Sequence, residues 1–153
     1  MAEVNKYILF KLKSQTFGVE VSQVISIERL QEITGVPRTT EFIKGVTYIR
    51  EKTTPVIDLK ERLLMDETKA TDDTRILVVN INSMQIGLIV DAATEVKDIE
   101  SSAIDPAPEI IGGVKETFIK GVARLENGLL ILLELESIID PNETNELLEV
   151  VAE

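Results

Sequence analysis

The chain has no cysteine, no histidine and no tryptophan. Without Cys there are no disulfides and no thiolate nucleophile; without His the commonest general base and a frequent metal ligand are gone. Ser-His-Asp and Cys-His arrangements are therefore excluded by residue type alone. Glycines stand singly apart from Gly112-Gly113, and none is followed by Lys-Ser or Lys-Thr, so no phosphate-cradling loop is present. Asp72-Asp73 lies in a polar stretch and reads as solvated linker rather than as an acid/base pair or metal site. These absences point away from an enzyme and call for no cofactor and no metal.

Aromatic residues are scarce at 4%, so a core must come from Ile, Val and Leu, which supply most of the 44% hydrophobic fraction. At 153 residues the chain has single-domain length and can bury a real core. Positive charge is also short, 16 Lys and Arg against 27 Asp and Glu, for a net charge of −11. Nucleic acid and an anionic membrane face would repel such a chain, whereas the same charge keeps it soluble. The longest apolar run, Leu129 to Leu133, is strand-sized and far below the ~20 residues that span a bilayer. Met1-Ala2-Glu3-Val4-Asn5-Lys6 shows no signal pattern, so a cytoplasmic protein without membrane insertion is expected.

What the chain does have is a repeat. Phe42-Ile43-Lys44-Gly45-Val46 returns as Phe118-Ile119-Lys120-Gly121-Val122, and each copy leads through an apolar strand to an acidic-Leu pair, Asp58-Leu59 and Glu134-Leu135. Upstream, Phe17-Gly18-Val19-Glu20-Val21 reads against Ile86-Gly87-Leu88-Ile89-Val90. The step is 69 residues from Gly18 to Gly87 and 76 from Gly45 to Gly121, so an insertion of about seven residues is expected around Asp105-Pro106-Ala107-Pro108. One domain with approximate half-repeats 7–65 and 75–140 follows, with 66–74 as a polar link and 141–153 as an acidic tail.

Along the chain, Tyr7 to Leu12 and Phe17 to Val21 read as a hairpin, with Phe17, Val19 and Val21 on one face. After Ser22, strand and helical turn both fit, and either leaves Val21, Val24 and Ile27 roughly co-facial. Val36-Pro37 marks a turn, Val46 to Arg50 a strand, and Pro55 the first residue of the next. Asp58 is placed to cap a helix over 59–64, and Asp91 to cap the turn that follows it. Arg75 to Ile81 and Met84 to Val90 form a second hairpin through Asn82-Ser83. Asn127-Gly128 supplies both central residues of a type I′ turn. Leu135 to Ile139 is the counterpart of the first helix. The pattern is all-β, roughly ten short strands in two similar sets.

Two sets of residues carry a candidate function. Arg50 ends an apolar strand just after the first repeat, and Arg suits bidentate carboxylate recognition, although a snorkelling surface Arg is the plainer reading. Ile8, Val21, Val24 and Ile27 are core by default but also fit a groove for a partner helix.

The order of these motifs resembles the CheW-like chemotaxis coupling proteins over most of the chain. The residues that carry it are Phe17-Gly18-Val19-Glu20-Val21 with Val24 and Ile27, Val36-Pro37, Phe42 to Val46, Ile49-Arg50, Thr54 to Leu59, Gly87 to Asp91, and Gly121-Val122. The resemblance implies two SH3-like five-stranded barrels packed on a common core, with short helices. It implies a non-enzymatic adaptor, found in cytoplasmic signalling arrays, that couples the cytoplasmic tip of methyl-accepting chemoreceptors to the regulatory domain of the histidine kinase CheA. Carried over by position, the receptor groove would use Ile8, Val21, Val24, Ile27, Val90 and Val96, with Arg50 a surface charge for partner contact. Gly45 and Gly121 would keep the backbone close-packed where each copy enters its barrel's hairpin. The alternative is a regulatory or ligand-binding module of the same fold serving another sensory kinase pathway. One departure stands out: the family usually has Asn-Leu-Arg-Gly where this chain has Tyr48-Ile49-Arg50-Glu51, so a different or longer turn is expected, with consequences for partner choice.

Overall fold

A computed structural model describes residues 3–35, 42–63, 68–107, 110–111, 114–126, 128–139 and 143. Strand β1 (Val4–Leu12) turns through Lys13 and Ser14 into β2 (Gln15–Glu20). A 3₁₀ turn over Val21–Gln23 then opens β3 (Val24–Arg29), so helical turn and strand occur in succession. Next come β4 (Ile43–Ile49), β5 (Lys52–Asp58) and the one-turn helix α1 (Leu59–Arg62). The second half runs β6 (Arg75–Ile81), β7 (Met84–Val90), β8 (Ala92–Glu100) and, after a 3₁₀ turn, β9 (Ile104–Asp105). Two-residue strands β10 (Ile110–Ile111) and β11 (Val114–Lys115) precede β12 (Ile119–Leu125), β13 (Gly128–Leu133) and α2 (Leu135–Ile138). The extra residues of the second half thus fall between β8 and β12. Val36-Pro37, Gly112-Gly113, Asn127 and, apart from Glu143, the acidic tail lie outside the described residues.

The sheets do not follow the sequence halves. One sheet has the order β8-β1-β2-β13-β12-β9 and the other β3-β6-β7-β5-β4. The first hairpin of each half is donated to the other half's sheet, where it joins the partner set through a parallel pairing, β2 with β13 and β7 with β5. The exchange is reciprocal, so the two sheets have the same construction. A pattern of apolar alternation specifies which face of a strand is buried but not which strand lies beside it.

Alternation then splits each strand between two cores. Ile8, Phe10 and Leu12 of β1, Leu77, Val79 and Ile81 of β6, and Ile86, Leu88 and Val90 of β7 point into one large cluster shared by the sheets. The opposite faces fill separate interiors: Tyr7, Leu9, Leu130 and Leu132 in one sheet, Ile49, Val56, Ile76 and Val78 in the other. A flat sheet would expose that second face; covering it requires each sheet to curl on itself. The result is an all-β chain of two SH3-like barrels on a common core.

The repeated pentapeptide sits where a crossing segment lies over the barrel. Thr34 bridges to Val46 with both backbone hydrogen bonds, at 2.8 and 2.9 Å, and β9 pairs with β12 at the equivalent place. Gly45 has φ +143°, and a Cβ there would stand 2.0 Å from the Thr34 carbonyl oxygen; one on Gly121 would meet Ile104 Cγ2 at 2.5 Å. The Phe42 carbonyl accepts from Asp58 N at 2.8 Å, and the Phe118 carbonyl accepts from Glu134 N at 2.9 Å, which ties each copy to its closing helix.

Several local expectations are corrected. Pro55 lies inside β5 rather than at its first residue, just ahead of Val56–Asp58, the stretch that pairs with β7. Gly128 is not a central turn residue: it faces Leu125 as the first residue of β13, with φ +135°, because the β12–β13 register closes the loop one residue earlier. Asp58 does cap α1, accepting from Lys60 N at 3.1 Å, and its other oxygen accepts from Thr68 N, which pins the polar link to the barrel. Asp91 caps no following turn; it accepts at 2.6 Å from Lys13 N, in the β1–β2 turn, 78 residues earlier in the chain.

Candidate partner-binding surface

The six apolar residues expected in a groove form a gradient from core to surface. Val90 is fully buried and Ile8 is 7% exposed, both in the shared cluster. Val21 and Val24 are half-buried and pack against that cluster from the 3₁₀ turn and the start of β3. Ile27 is 43% exposed and Val96 57% exposed. Register explains the alignment. Ile27 stands opposite Leu77, and Val96 opposite Ile8, so each edge-strand residue lies on the same face as a member of the shared core. β3 and β8 are the outer strands of their sheets. The gradient is a strip with Ile8 and Val90 as floor, Val21 and Val24 as wall, and Ile27 and Val96 on the rims.

Charged pairs border the strip. Lys60 Nζ is 2.9 Å from Asp91 Oδ1, with the lysine largely buried. In the other half, Gln23 Nε2 donates at 2.9 Å to Oε1 of Glu136, the repeat counterpart of Lys60, and Lys120 pairs with Glu20. The Glu20 bond and its charge hold the Lys120 ammonium above its usual range, against the cost of burial. Glu134 and Glu136 share a hydrogen bond, which raises the Glu134 carboxyl, together with burial, and lowers that of Glu136 against the opposing effect of burial.

Arg50 lies at the tip of the β4–β5 hairpin, exposed and without an ion pair among the described residues. Ile49 pairs with Lys52, so Arg50 and Glu51 alone make the turn, at φ +51° and +65°. Of the different or longer turn expected, the longer one does not form: the connection has two residues. Glu51 accepts positive φ because strand pairing on both sides fixes the two-residue connection, and Gln85 Nε2 braces it by donating to Ile49 O at 3.1 Å and to Thr54 Oγ1 at 2.8 Å. Tyr48, where the family usually has Asn, is 67% exposed next to the turn.

Sequence reasoning missed Arg62. Its guanidinium sits 4.8 Å from the Phe42 ring centroid and 5.1 Å from that of Phe118, between the two copies of the repeat. It donates to the Ile138 carbonyl of α2 and pairs with Glu143 at 2.9 Å. The repeated Phe was visible in the sequence, but nothing local marked the arginine that joins the copies. Asp72 and Asp73 lie exposed beside Arg75, which donates to the Asp72 carbonyl, and no group of three or more potential ligands for a metal occurs among the described residues. No helix among them is long and apolar enough to cross a membrane.

Paired SH3-like barrels with an apolar strip opening from their common core and an exposed cationic hairpin define a scaffold that works by surface contact. The chain belongs to the CheW-like domain family, which it matches over residues 6–143. It is 36% identical over 135 residues to the chemotaxis protein CheW of Bacillus subtilis, covering 88% of this chain and 86% of that protein. It is 30% identical over 139 residues to CheW of Rhizobium meliloti, covering 91% and 89%. The crystal structure of the scaffolding protein TtCheW from Thermoanaerobacter tengcongensis superposes with a TM-score of 0.84 at 31% identity, over 94% of this chain and 92% of that one. Membership makes this chain a non-enzymatic chemotaxis scaffold.

Proposed function

We propose that this scaffold bridges the cytoplasmic tip of a methyl-accepting chemoreceptor to the regulatory domain of the histidine kinase CheA, in the cytoplasm, at receptor arrays. The strip from Val90 and Ile8 to Ile27 and Val96 receives the receptor's helical hairpin. The observation that carries this is the gradient itself: an apolar surface continuous with the core, bounded by two edge strands, fits the apolar face of a helix laid along it. The Tyr48-Arg50 hairpin contacts the kinase or a neighbouring array component, supported by an exposed aromatic beside a cation with no ion pair among the described residues, both residue types being enriched in energetic centres of interfaces.

Titration of a labelled receptor-tip fragment, followed by pull-down with the isolated kinase regulatory domain, tests both halves. Saturable binding of each at micromolar concentration is expected. Binding of neither refutes the bridge and leaves the module serving another sensory kinase pathway.

A further inference from the structure

Among the described residues strand β8 is the outer strand of its sheet, paired only with β1, and the five consecutive residues Thr94 to Asp98 are all exposed, so both faces of that stretch meet water. An edge of this kind presents unpaired backbone N–H and C=O groups to another strand. Its side chains show which strand fits. In antiparallel pairing centred on Val96, Glu95 stands opposite Lys97 and Lys97 opposite Glu95, while Val96 faces Val96 and Thr94 faces Asp98. Moving the centre one residue toward the N-terminus sets Glu95 against Glu95; one residue toward the C-terminus sets Lys97 against Lys97. Centring between Val96 and Lys97 sets Glu95 against Asp98 twice. Of these registers the Val96 one alone pairs opposite charges, and it also covers a valine that is 57% exposed.

We propose that β8 is a self-complementary edge, where two copies of this chain pair antiparallel about a twofold axis through Val96. The pairing is bounded by the bulge at Thr94, where the β1–β8 register shifts, so it is short and the dimer is weak. The net charge of −11 on each copy opposes approach, which confines the attraction to the local Glu95–Lys97 pairs. The dimer covers Val96 and thereby withdraws one rim of the strip; that consequence, unlike the pairing, rests on the receptor reading above.

Sedimentation of the full chain alone tests the pairing, from about 10 μM to about 1 mM at physiological salt, where association through a small interface is measurable. A monomer–dimer equilibrium is expected. E95K and K97E, each of which places like charges opposite one another twice, shift the dissociation constant upward by about tenfold or more, and the E95K/K97E double variant restores it. These side chains are exposed, and circular dichroism verifies that each variant is folded. A monomer throughout the range, a dimer indifferent to both single changes, or a double variant that stays monomeric overturns the proposal. Because no receptor fragment is present, a failure here leaves the receptor reading to its own titration.

Discussion

Ile8 and Val96 stand directly opposite each other on β1 and β8, yet one is 7% exposed and the other 57%. Neighbours in register, they divide the apolar strip into floor and rim, and substitution separates the two roles. Val96→Asp and Ile27→Asp are expected to leave the chain folded, within about 1 kcal/mol of the parent, because both side chains already meet water. Val90→Asp, fully buried, places a carboxylate in the shared core and should cost about 4 kcal/mol or more. Denaturant unfolding measures the costs, and receptor-fragment titration measures the binding. The rim variants should lose affinity about tenfold; unchanged affinity in both removes the rims from the interface.

The β4–β5 turn makes two separable predictions. Glu51→Gly relieves a positive φ and should stabilise by roughly 0.5–1 kcal/mol. Arg50→Glu leaves stability within about 0.5 kcal/mol, since the side chain has no partner among the described residues, and weakens kinase or array contact. Thermal melts with a pull-down decide both, and an unfolded Arg50→Glu chain would make Arg50 a structural residue.

Equivalent glycines should not respond equally. Gly45→Ala combines a positive φ with a Cβ only 2.0 Å from a backbone carbonyl, which cannot yield without breaking the Thr34–Val46 bridge, so a loss of about 3 kcal/mol or more is expected. At Gly121 the nearest obstacle is the Ile104 side chain at 2.5 Å, which can rotate, and the expected loss is about 1–2 kcal/mol. Parallel urea titrations rank the two; equal losses would contradict this reading of the crossing segments.

Arg62 joins the two repeats through both Phe rings and the end of α2. Arg62→Ala removes a charge-assisted hydrogen bond and two cation–π contacts, for about 2–4 kcal/mol. Arg62→Lys should recover little, because a lysine lacks the planar fork that spans the two rings and the carbonyl. Full recovery with lysine would reduce the role of Arg62 to charge alone.

The Glu134–Glu136 pair gives a pH dependence. Glu134 holds its proton more tightly in the folded chain than at its ordinary value of 4.5, so its contribution is present at low pH and is lost as pH rises through the raised value. Glu136 acts in the opposite sense, its contribution present above 4.5 and lost as pH falls through its lowered value. Once both have lost their protons they repel. Glu134→Gln keeps a donor toward Glu136 and should raise the melting temperature at pH 7, with the advantage shrinking as pH falls toward 4.5. Melts across that range check the trend; an advantage independent of pH would mean that titration is not its cause.

The repeat, the turn positions and the apolar alternation are local properties, and they appear in the structure largely where the sequence placed them. β6 and β7 match their expected ranges residue for residue, Asp58 caps its helix, and the FIKGV copies occupy equivalent sites. At Arg50-Glu51 residue preference favours a different or longer turn, and pairing of the strands on either side fixes a two-residue one with positive φ instead.

By itself, then, the sequence determined an all-β, internally repeated chain, because periodicity and glycine position are written in order along it. The partners of those strands were decided only by the tertiary structure. Hairpin β1–β2 completes the second half's sheet and β6–β7 the first's, Asp91 closes a turn 78 residues earlier, and Arg62 bridges two distant phenylalanines. Each is a contact between segments far apart in the chain, selected by how two similar faces pack against each other, and no local pattern distinguishes one such partner from its repeat.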